Sequence, residues 1–271
     1  MHKLLLKNSS SDKSPHRWRW LSAFSDTSSM RLLLSTYSSI RNPVGNHLLA
    51  SLPQQEYERL LPNLEPVALD LKQVLYEPNT PIEYAYFINS GATSIVNIMQ
   101  DGQTIEVATV GKEGMIGVPL VLGTTQIPFQ VFVQIPGDGL RMKADVFKEQ
   151  VVYAGCLLHT LLLRYLQALM NQISQTAACN RFHSVEARCC RWVLMTQDRV
   201  ESDSFPLTHE FLSYMLGVRR ASVSEVAAML QRSGLINYSR GQISIKDRQG
   251  LEAACCECYQ STQQEFKRLL G

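Results

Sequence analysis

The spacing of apolar residues changes once along this sequence, and that change limits the folds open to it. Between Pro66 and about residue 143, apolar side chains alternate with polar ones in short runs such as the one that contains Val67 and Leu69. Asp101-Gly102 between two of these runs is typical of a hairpin turn. From Ala144 the apolar residues recur at helical spacing for some fifty residues. This order predicts an antiparallel barrel or jelly roll of short strands, followed by a long helix.

Charge is distributed unevenly along the 271 residues, although the net charge is only +2. Residues 42 to 150 carry 6 basic and 12 acidic side chains, whereas residues 207 to 249 carry 6 basic and 3 acidic ones. An acidic surface repels a polyanion and a basic one attracts it. If the protein binds nucleic acid, we therefore expect the C-terminal part to do so.

The seven cysteines all lie between Cys156 and Cys258, and their odd number argues against a secreted disulfide framework. Residues 154 to 170 form the most apolar stretch, but it contains His159 and Arg164, so we expect no membrane span. These features predict a cytoplasmic protein. Residues 1 to 41 are Ser-rich and basic without a sustained period, which predicts a disordered or loosely ordered extension.

We expect the remaining chain to divide into a β-rich domain at residues 42–150, a helix at 151–180, a further domain at 181–260 and a C-terminal tail at 261–271. The helix has apolar and small polar residues spaced by 4, 3, 4, 3 and 4 positions, which is compatible with the seam of a coiled-coil dimer. Packing of the same face against the helix's own barrel is the alternative. The expected seam consists of Leu158, Leu162, Tyr165, Leu169, Gln172 and Thr176.

Residues 207 to 246 have the pattern of two short helices joined by a tight turn. Thr208 is a good N-cap, Gly217 suits the turn, and the second helix is expected from Arg219 to Arg232, with Gly234 ending it. The next residues alternate around Ser239-Arg240-Gly241 and predict a hairpin. A helix-turn-helix followed by a hairpin is a winged helix.

The second of these helices would display polar side chains at its leading end. Arg219 and Arg220 can bind guanine, Glu225 can accept a hydrogen bond from cytosine, and Ser222 can bond a base or a phosphate. Ser239 and Arg240 at the hairpin tip, with Thr208, are expected near the DNA backbone. Two amphipathic helices with a glycine turn also occur in proteins that do not bind DNA, so the pattern leaves that alternative open.

Residues 45 to 260 resemble the Crp/Fnr family of bacterial transcription regulators. Phe87-Ile88-Asn89-Ser90-Gly91 with the Asp101-Gly102 turn carries the resemblance in the sensor, and the segment from Leu207 to Arg220 carries it in the effector. The resemblance implies an α+β fold with an N-terminal jelly-roll sensor, a long dimerisation helix and a C-terminal winged helix. It also implies a homodimer that binds double-stranded DNA and controls RNA polymerase. The base-reading positions of the family fall on Arg220, Ala221 and Glu225.

The sensor departs from the cyclic-nucleotide-binding members of that family. Val118, after Gly117, stands where the family has a glutamate for the ribose, and Phe129 and Gln130 stand near the place of its phosphate-binding arginine. Burying an unpaired phosphate would cost several kcal/mol. We therefore expect a degenerate ligand pocket that does not bind cyclic AMP in the usual mode and that takes, if anything, another small-molecule effector.

No metal or other cofactor is expected from the sequence. No cysteine precedes Cys156, so the N-terminal iron–sulfur cluster of the oxygen-sensing branch lacks ligands, and no axial pair for haem is visible. Cys255-Cys256-Glu257-Cys258 is a weak metal site because no second matched pair is apparent.

The function that these features predict is sequence-specific DNA binding by a homodimeric transcription regulator. The alternative is a ligand-binding or protein-interaction module whose winged helix does not bind DNA. We do not expect an enzyme, because the sequence lacks paired carboxylates on a recognisable frame, a phosphate-binding glycine loop and an inferable Cys/His pair.

Overall fold

The computed structural model describes residues 44–200 and 202–271. The expected N-terminal extension, residues 1 to 41, lies outside the described residues. The described chain opens with two short helices, α1 (His47–Ala50) and α2 (Gln54–Leu60). The buried side chain of Asn46 donates hydrogen bonds to the carbonyls of Ile88 and Gly114, at 2.9 and 2.7 Å, which attaches the start of α1 to the strands that follow.

Residues 65–143 form two four-stranded antiparallel sheets, here called the β-domain. The strand order is β1-β8-β3-β6 in the first sheet and β2-β7-β4-β5 in the second. The strands are β1 (Glu65–Leu69), β2 (Val74–Tyr76), β3 (Tyr84–Ile88), β4 (Ala92–Ile98), β5 (Thr104–Val110), β6 (Met115–Ile116), β7 (Gln130–Ile135) and β8 (Gly137–Lys143), with a short helix α3 (Val118–Val121) before β7.

The hairpin expected at Asp101-Gly102 joins β4 to β5. Ile98 pairs with Thr104, so the loop has five residues and is longer than a two-residue turn. Gly102 adopts φ +82°, a left-handed conformation that glycine tolerates without strain.

Continuous helical structure follows the β-domain, where the period changes. Helix α4 (Ala144–Phe147) and a π-helical segment (Lys148–Tyr153) lead into α5 (Leu157–Phe182), a helix of 26 residues. By length and apolar composition, none of the single helices among residues 44–200 and 202–271 could cross a membrane. The pair Ala144–Tyr153 and Leu157–Phe182, bent by 101°, passes that test only when taken together.

The face of α5 that was expected to form a dimer seam lies in the core of the single chain. Leu158, Leu162 and Tyr165 are 0 to 1% exposed and pack in the same core as the β-domain strands. The Tyr165 hydroxyl donates to the Met115 carbonyl at 3.2 Å, and the Gln172 amide donates to the Thr109 carbonyl at 3.1 Å. Leu169 and Thr176 are buried as well. These side chains are not free to meet a partner helix, because the β-domain and the next helix of the same chain already cover them.

The C-terminal part begins with α6 (Val185–Val200). Residues 185–257 form the winged-helix module, in which β10 pairs with β11 and β11 with β9. Its further elements are β9 (Ser204–Pro206), α7 (His209–Leu216), α8 (Arg220–Arg232), β10 (Ile236–Ser239), β11 (Gln242–Ile245) and α9 (Arg248–Ala253). The α+β fold expected from the sequence is confirmed.

The last residues form a helix and not a tail. Helix α10 (Cys258–Leu270) covers most of the stretch 261–271 that was expected to be a C-terminal tail. It packs on α5, where Phe266 contacts Tyr165 with ring centroids 6.4 Å apart and Glu265 accepts a hydrogen bond from Asn171 at 2.6 Å. An apolar face at helical spacing needs a partner, and α5 provides it.

Candidate nucleic-acid interface

The turn between α7 and α8 is built by the residues that the sequence indicated. The Thr208 hydroxyl accepts a hydrogen bond from the Phe211 amide at 3.1 Å, which satisfies a free N–H group at the start of α7. Gly217 ends α7 with φ +60° and ψ +42°. A Cβ atom at Gly217 would lie 2.9 Å from the Ile105 side chain of β5, so both its backbone angle and its surroundings favour glycine.

Helix α8 is amphipathic and exposes its leading end. Val223, Ala227 and Leu230 are buried against the rest of the module. Arg219 is the N-cap residue, and Arg220 begins the helix, one position later than expected. Both arginines are exposed, and neither forms an ion pair with any of the described residues. Two positive charges are thus available at the end of the helix.

The remaining expected contacts on this face differ in exposure. Glu225, one turn after Arg220, is exposed, whereas Ser222 is half-buried. Ala221 is exposed beside them. The helix therefore presents Arg220, Ala221 and Glu225 to solvent, and Ser222 at the edge of that surface.

The β10–β11 hairpin places its tip beside the start of α7. Arg240 and Gly241 adopt φ +49° and +75°, which closes the turn between Ser239 and Gln242. The Leu207 amide donates to the Gly241 carbonyl at 2.8 Å. Ser239, Arg240 and Thr208 are all exposed. The hairpin tip and the N-cap of α7 are thus neighbours, so their exposed side chains could contact the same stretch of a nucleic-acid backbone.

His209 is a residue of this region that the sequence analysis did not single out. Its ring stacks on Tyr238 with centroids 4.3 Å apart, and its Nδ1 lies 2.9 Å from the Ser224 hydroxyl of α8. Burial, followed by the positive charge of Arg220, lowers the pKa of His209. The uncharged ring therefore connects α7, α8 and the hairpin. No periodic signal distinguishes this histidine from a surface one.

The winged-helix module packs against the second sheet of the β-domain. Phe211 of α7 contacts Phe132 of β7 and Trp192 of α6 edge to face, with centroids 6.1 and 6.2 Å apart. Near the leading end of α8, a cleft of about 580 Å³ separates the β4–β5 loop from the arginines. Its lining includes Asp101, Gln103, Glu210, Arg219 and Arg220.

A cavity lies at the place expected for the ligand pocket, and its lining is almost wholly apolar. It is a cavity of about 330 Å³ between the β-domain and α5, and Gly117, Val118 and Phe129 line it. Leu166, Leu169, Met170 and Ile173 supply the α5 wall. Among the described residues, no acidic or basic side chain and no histidine lines it.

Gln130 does not belong to this pocket, although the sequence analysis placed it there. Its amide donates to the Glu77 carboxylate at 3.0 Å. Because side chains alternate along a strand, Gln130 at the start of β7 points away from the cavity that Phe129 and Val131 line.

The cysteines near the C-terminus acquire neighbours that the sequence did not reveal. Cys256 and Cys258 lie against Cys179 and His183 at the end of α5, with the Sγ atoms of Cys179 and Cys256 3.5 Å apart. Cys255 packs against this group and interacts with Cys256, but it is not among the four residues whose ligand atoms converge, and its Sγ lies 3.8 Å from the Ala187 carbonyl. The expectation of no metal depended on the lack of a second matched pair, and Cys179 with His183 supplies such a pair.

Two family models match the chain. A model of the Crp-like helix-turn-helix domain matches residues 187–254, and a model of the cyclic nucleotide-binding domain matches residues 66–152. A comparison with curated protein sequences gave no match.

Solved structures of other regulators share the fold at low sequence identity. FixK2 from Bradyrhizobium japonicum is 15% identical with a TM-score of 0.61, over 71% of this chain and 98% of that one. TTHB099, a CRP-family transcriptional regulator from Thermus thermophilus, is 20% identical with a TM-score of 0.57, and the match covers 70% of this chain and 95% of TTHB099. CLP of Xanthomonas campestris, described as a c-di-GMP-responsive global regulator, is 15% identical with a TM-score of 0.58, and the match covers 70% of this chain and 98% of CLP. The two family models follow one another in the order that the two halves of the fold require, and together they cover more than half of the chain, so this protein belongs to the Crp/Fnr family of DNA-binding transcription regulators.

Proposed function

We propose that this regulator is a homodimer that reads a specific DNA sequence by inserting the leading end of α8 into the major groove. The observation that carries this proposal is that Arg219 and Arg220 at the start of α8 are exposed and form no ion pair with a described residue, beside a hairpin tip that carries Arg240. Helix N-termini and exposed guanidinium groups both attract phosphate and base acceptors. The charge and shape of this face suit duplex DNA.

Each exposed group has a distinct task in this proposal. Arg220 binds a guanine through O6 and N7, and Glu225 accepts a hydrogen bond from the N4 amino group of cytosine. Thr208, Ser239 and Arg240 contact the sugar-phosphate backbone and set the position of α8. Arg219 stands at the entrance of the helix, where the phosphates flank the groove, and Ser222 at the edge of the surface contacts a phosphate.

We assign the dimer contact to a different face of α5 from the one that the sequence suggested. Leu163, Met170 and Ile173 are 47, 56 and 38% exposed, and Leu166 is half-buried among them. These residues are separated by three, four and three positions, which is the spacing of a coiled-coil seam. A parallel α5 from a second copy of the chain would cover this stripe. Two copies would then present two α8 helices to a pseudo-palindromic site.

The sensor pocket suits an uncharged apolar effector and not a cyclic nucleotide. A cyclic phosphodiester needs a cation or several N–H donors, and the described part of the chain contributes no charged side chain to the cavity. Three of its lining residues, Leu166, Met170 and Ile173, also belong to the exposed stripe of α5. An effector in the pocket would therefore touch the residues that we assign to the dimer contact.

The other parts of the proposal follow from the family. We propose that the bound regulator acts on RNA polymerase in the cytoplasm, and that its output is a change in transcription and not a catalytic step. The packing of α6 and α7 on the β-domain supports a direct mechanical route from the pocket to α8.

Fluorescence anisotropy with labelled duplex DNA tests the DNA-binding part of the proposal. We expect the purified full-length protein to bind duplex from the region upstream of its own gene more tightly than a scrambled duplex of equal length. The affinity should fall steeply as salt rises, because phosphate contacts release counterions. Equal binding of both duplexes, or no binding at low salt, would overturn the assignment.

A further inference from the structure

Two segments that are far apart in the sequence bring four metal-binding side chains together. Cys179 and His183 stand one turn apart at the end of α5, and Cys256 and Cys258 lie just before and at the start of α10. One potential ligand atom from each of the four residues lies within 4.8 Å of all the others. The Sγ atoms of Cys179 and Cys256 are 3.5 Å apart, and Cys258 Sγ is 3.4 Å from His183 Nδ1.

These separations are those of ligands around a single ion. In a tetrahedral zinc site with Zn–S bonds of about 2.3 Å, neighbouring sulfur atoms are about 3.8 Å apart. The contact between Cys179 and Cys256 is close to that distance and far longer than the bond of about 2.05 Å in a disulfide. Three thiols and one imidazole are also the donor set of a structural Cys₃His site.

His183 and Cys258 each have a neighbour of the kind that orients the ligands in a metal site. His183 Nε2 lies 3.3 Å from the Glu257 carboxylate, so it can donate its proton there and leave the Nδ1 lone pair facing Cys258. Such carboxylate–histidine pairs orient the imidazole ligand in zinc proteins. The Gln175 amide donates to Cys258 Sγ at 3.0 Å, which suits a thiolate acceptor.

Positive charge is available to balance the thiolates. Three thiolates and one Zn²⁺ carry a net charge of about −1. Arg191 is 5% exposed, donates to Thr176 one turn before Cys179, and has a buried Nε without a partner. Arg188 lies on α6 together with Arg191 and is 6% exposed. Its buried Nε likewise has no hydrogen-bond partner among the described residues. Arg191 interacts electrostatically with Cys179, and Arg188 with Cys179 and Cys256. Two buried cations beside neutral thiols would be costly, whereas an anionic metal centre would stabilise them.

We propose that Cys179, His183, Cys256 and Cys258 bind one zinc ion in a tetrahedral S₃N site. The three thiols would release three protons on binding, and His183 would bind as the neutral imidazole through Nδ1. The ion would tie α10 to the end of α5, and His183 lies two residues before α6 begins. The site therefore fixes the joint through which α5 connects to the winged-helix module.

Metal analysis of the full-length protein is the first test. We expect protein purified under reducing conditions with zinc to retain one zinc per chain after passage through a metal-free desalting column. Cys258→Ser and Cys179→Ser should lose the metal, whereas Cys156→Ser, at the opposite end of α5, should keep it. Wild-type protein without zinc, or full zinc in Cys179→Ser and Cys258→Ser, would overturn the proposal.

A cobalt titration keeps the test independent of variants that do not fold. Metal-stripped wild-type protein should acquire the intense visible absorption of tetrahedral cobalt thiolate at one equivalent of Co²⁺, and zinc should then bleach it. The weak spectrum of octahedral cobalt, or an iron–sulfur absorption in the protein as purified, would contradict a mononuclear S₃N site. DNA binding by the metal-free protein is measured in a separate experiment. A failure of the zinc proposal therefore leaves the assignment of α8 to DNA binding intact.

Discussion

The Trp192 indole N–H donates to the Glu106 carboxylate across 2.9 Å, which joins the first helix of the winged-helix module to strand β5 of the β-domain. Glu106 is 7% exposed, and burial is the largest cause of its raised pKa. The positive charge of Arg191 and hydrogen bonds from Ser94, Thr109 and Trp192 oppose that shift. The contact between the two parts of the fold therefore depends on the protonation state of one carboxyl group.

The hydrogen bonds around Glu106 close a ring when that group is protonated. Ser94 Oγ lies 2.6 Å from Glu106 Oε2 and 2.8 Å from Gln134 Oε1, but a serine has only one proton to donate. When Glu106 is protonated, it donates to Ser94, and Ser94 is then free to donate to Gln134. The Gln134 amide donates to Thr196, and the Thr196 hydroxyl donates to the Trp192 carbonyl. The Trp192 indole N–H donates to Glu106 and completes the ring. A charged Glu106 would leave two acceptors competing for the single Ser94 proton.

The first prediction concerns pH and Glu106. A carboxyl group whose pKa is raised on folding stabilises the fold fully below its unfolded pKa of 4.5, and this contribution is lost as pH rises through the folded value. Glu106→Gln keeps a donor for Ser94 and an acceptor for Trp192 at every pH. We expect it to raise the free energy of unfolding at pH 7 by about 1–3 kcal/mol and to leave it nearly unchanged at pH 4.

Denaturant unfolding between pH 4 and pH 8 checks this prediction. Glu58→Gln, an exposed carboxyl of α2, is the matched control and should follow the wild-type profile. A Glu106→Gln variant that is less stable than wild type at pH 7 would show that the charged carboxylate is the stabilising form.

The second prediction concerns the two faces of α5. Met170→Glu places a charge in the exposed stripe, so we expect monomers with an unchanged circular dichroism spectrum. Leu162→Ala removes a buried side chain and should lower the free energy of unfolding by about 2–5 kcal/mol. Sedimentation velocity separates the two outcomes. If Met170→Glu stays dimeric while wild type is a dimer, the contact lies on another surface.

The third prediction concerns the sensor pocket. Calorimetry should detect no cyclic AMP binding, whereas the uncharged fluorophore N-phenyl-1-naphthylamine should bind with increased emission. Phe129→Glu puts a carboxylate into the apolar lining and should weaken fluorophore binding at least about tenfold. Phe182→Glu is the control, because Phe182 is 78% exposed and does not line the cavity. Tight cyclic AMP binding would refute the proposed ligand class.

The fourth prediction concerns the tip of the hairpin. Arg240→Ala should weaken binding to the specific and the scrambled duplex by the same factor. It should also reduce the slope of log K against log salt concentration by about one, because one phosphate contact is lost. Lys267→Ala, on the exposed side of α10, should change neither quantity. A loss confined to the specific duplex would make Arg240 a base-reading residue.

The winged helix could be predicted from the sequence because its signals are local. The cap at Thr208, the left-handed turn at Gly217 and the apolar spacing from Val223 to Leu230 each depend on near neighbours in the chain. The same pattern placed Arg220 at the leading end of α8, where the structure has it, and the resemblance added the expectation that it reads a base. The first residue of the helix was off by one position.

Features that depend on tertiary packing could not be predicted in the same way. Helix α5 carries two apolar stripes with nearly equal spacing, and periodicity alone does not say which stripe the β-domain covers. Cys179 and Cys256 are 77 positions apart, so only the packing of α10 on α5 brings them into contact. The orientation of Gln130 likewise depends on where β7 begins.

Selection of bound DNA from a randomised duplex library, with wild type and Arg220→Ala in parallel, tests the reading role of α8 most directly. We expect wild type to enrich a pseudo-palindromic site whose half-sites lie about one helical turn apart. Arg220→Ala should lose preference at one base pair in each half-site, at a cost of about 1–3 kcal/mol, while Arg232→Ala, exposed at the far end of α8, should enrich the same motif as wild type. An identical motif from Arg220→Ala, or no enriched motif from wild type, would contradict the account.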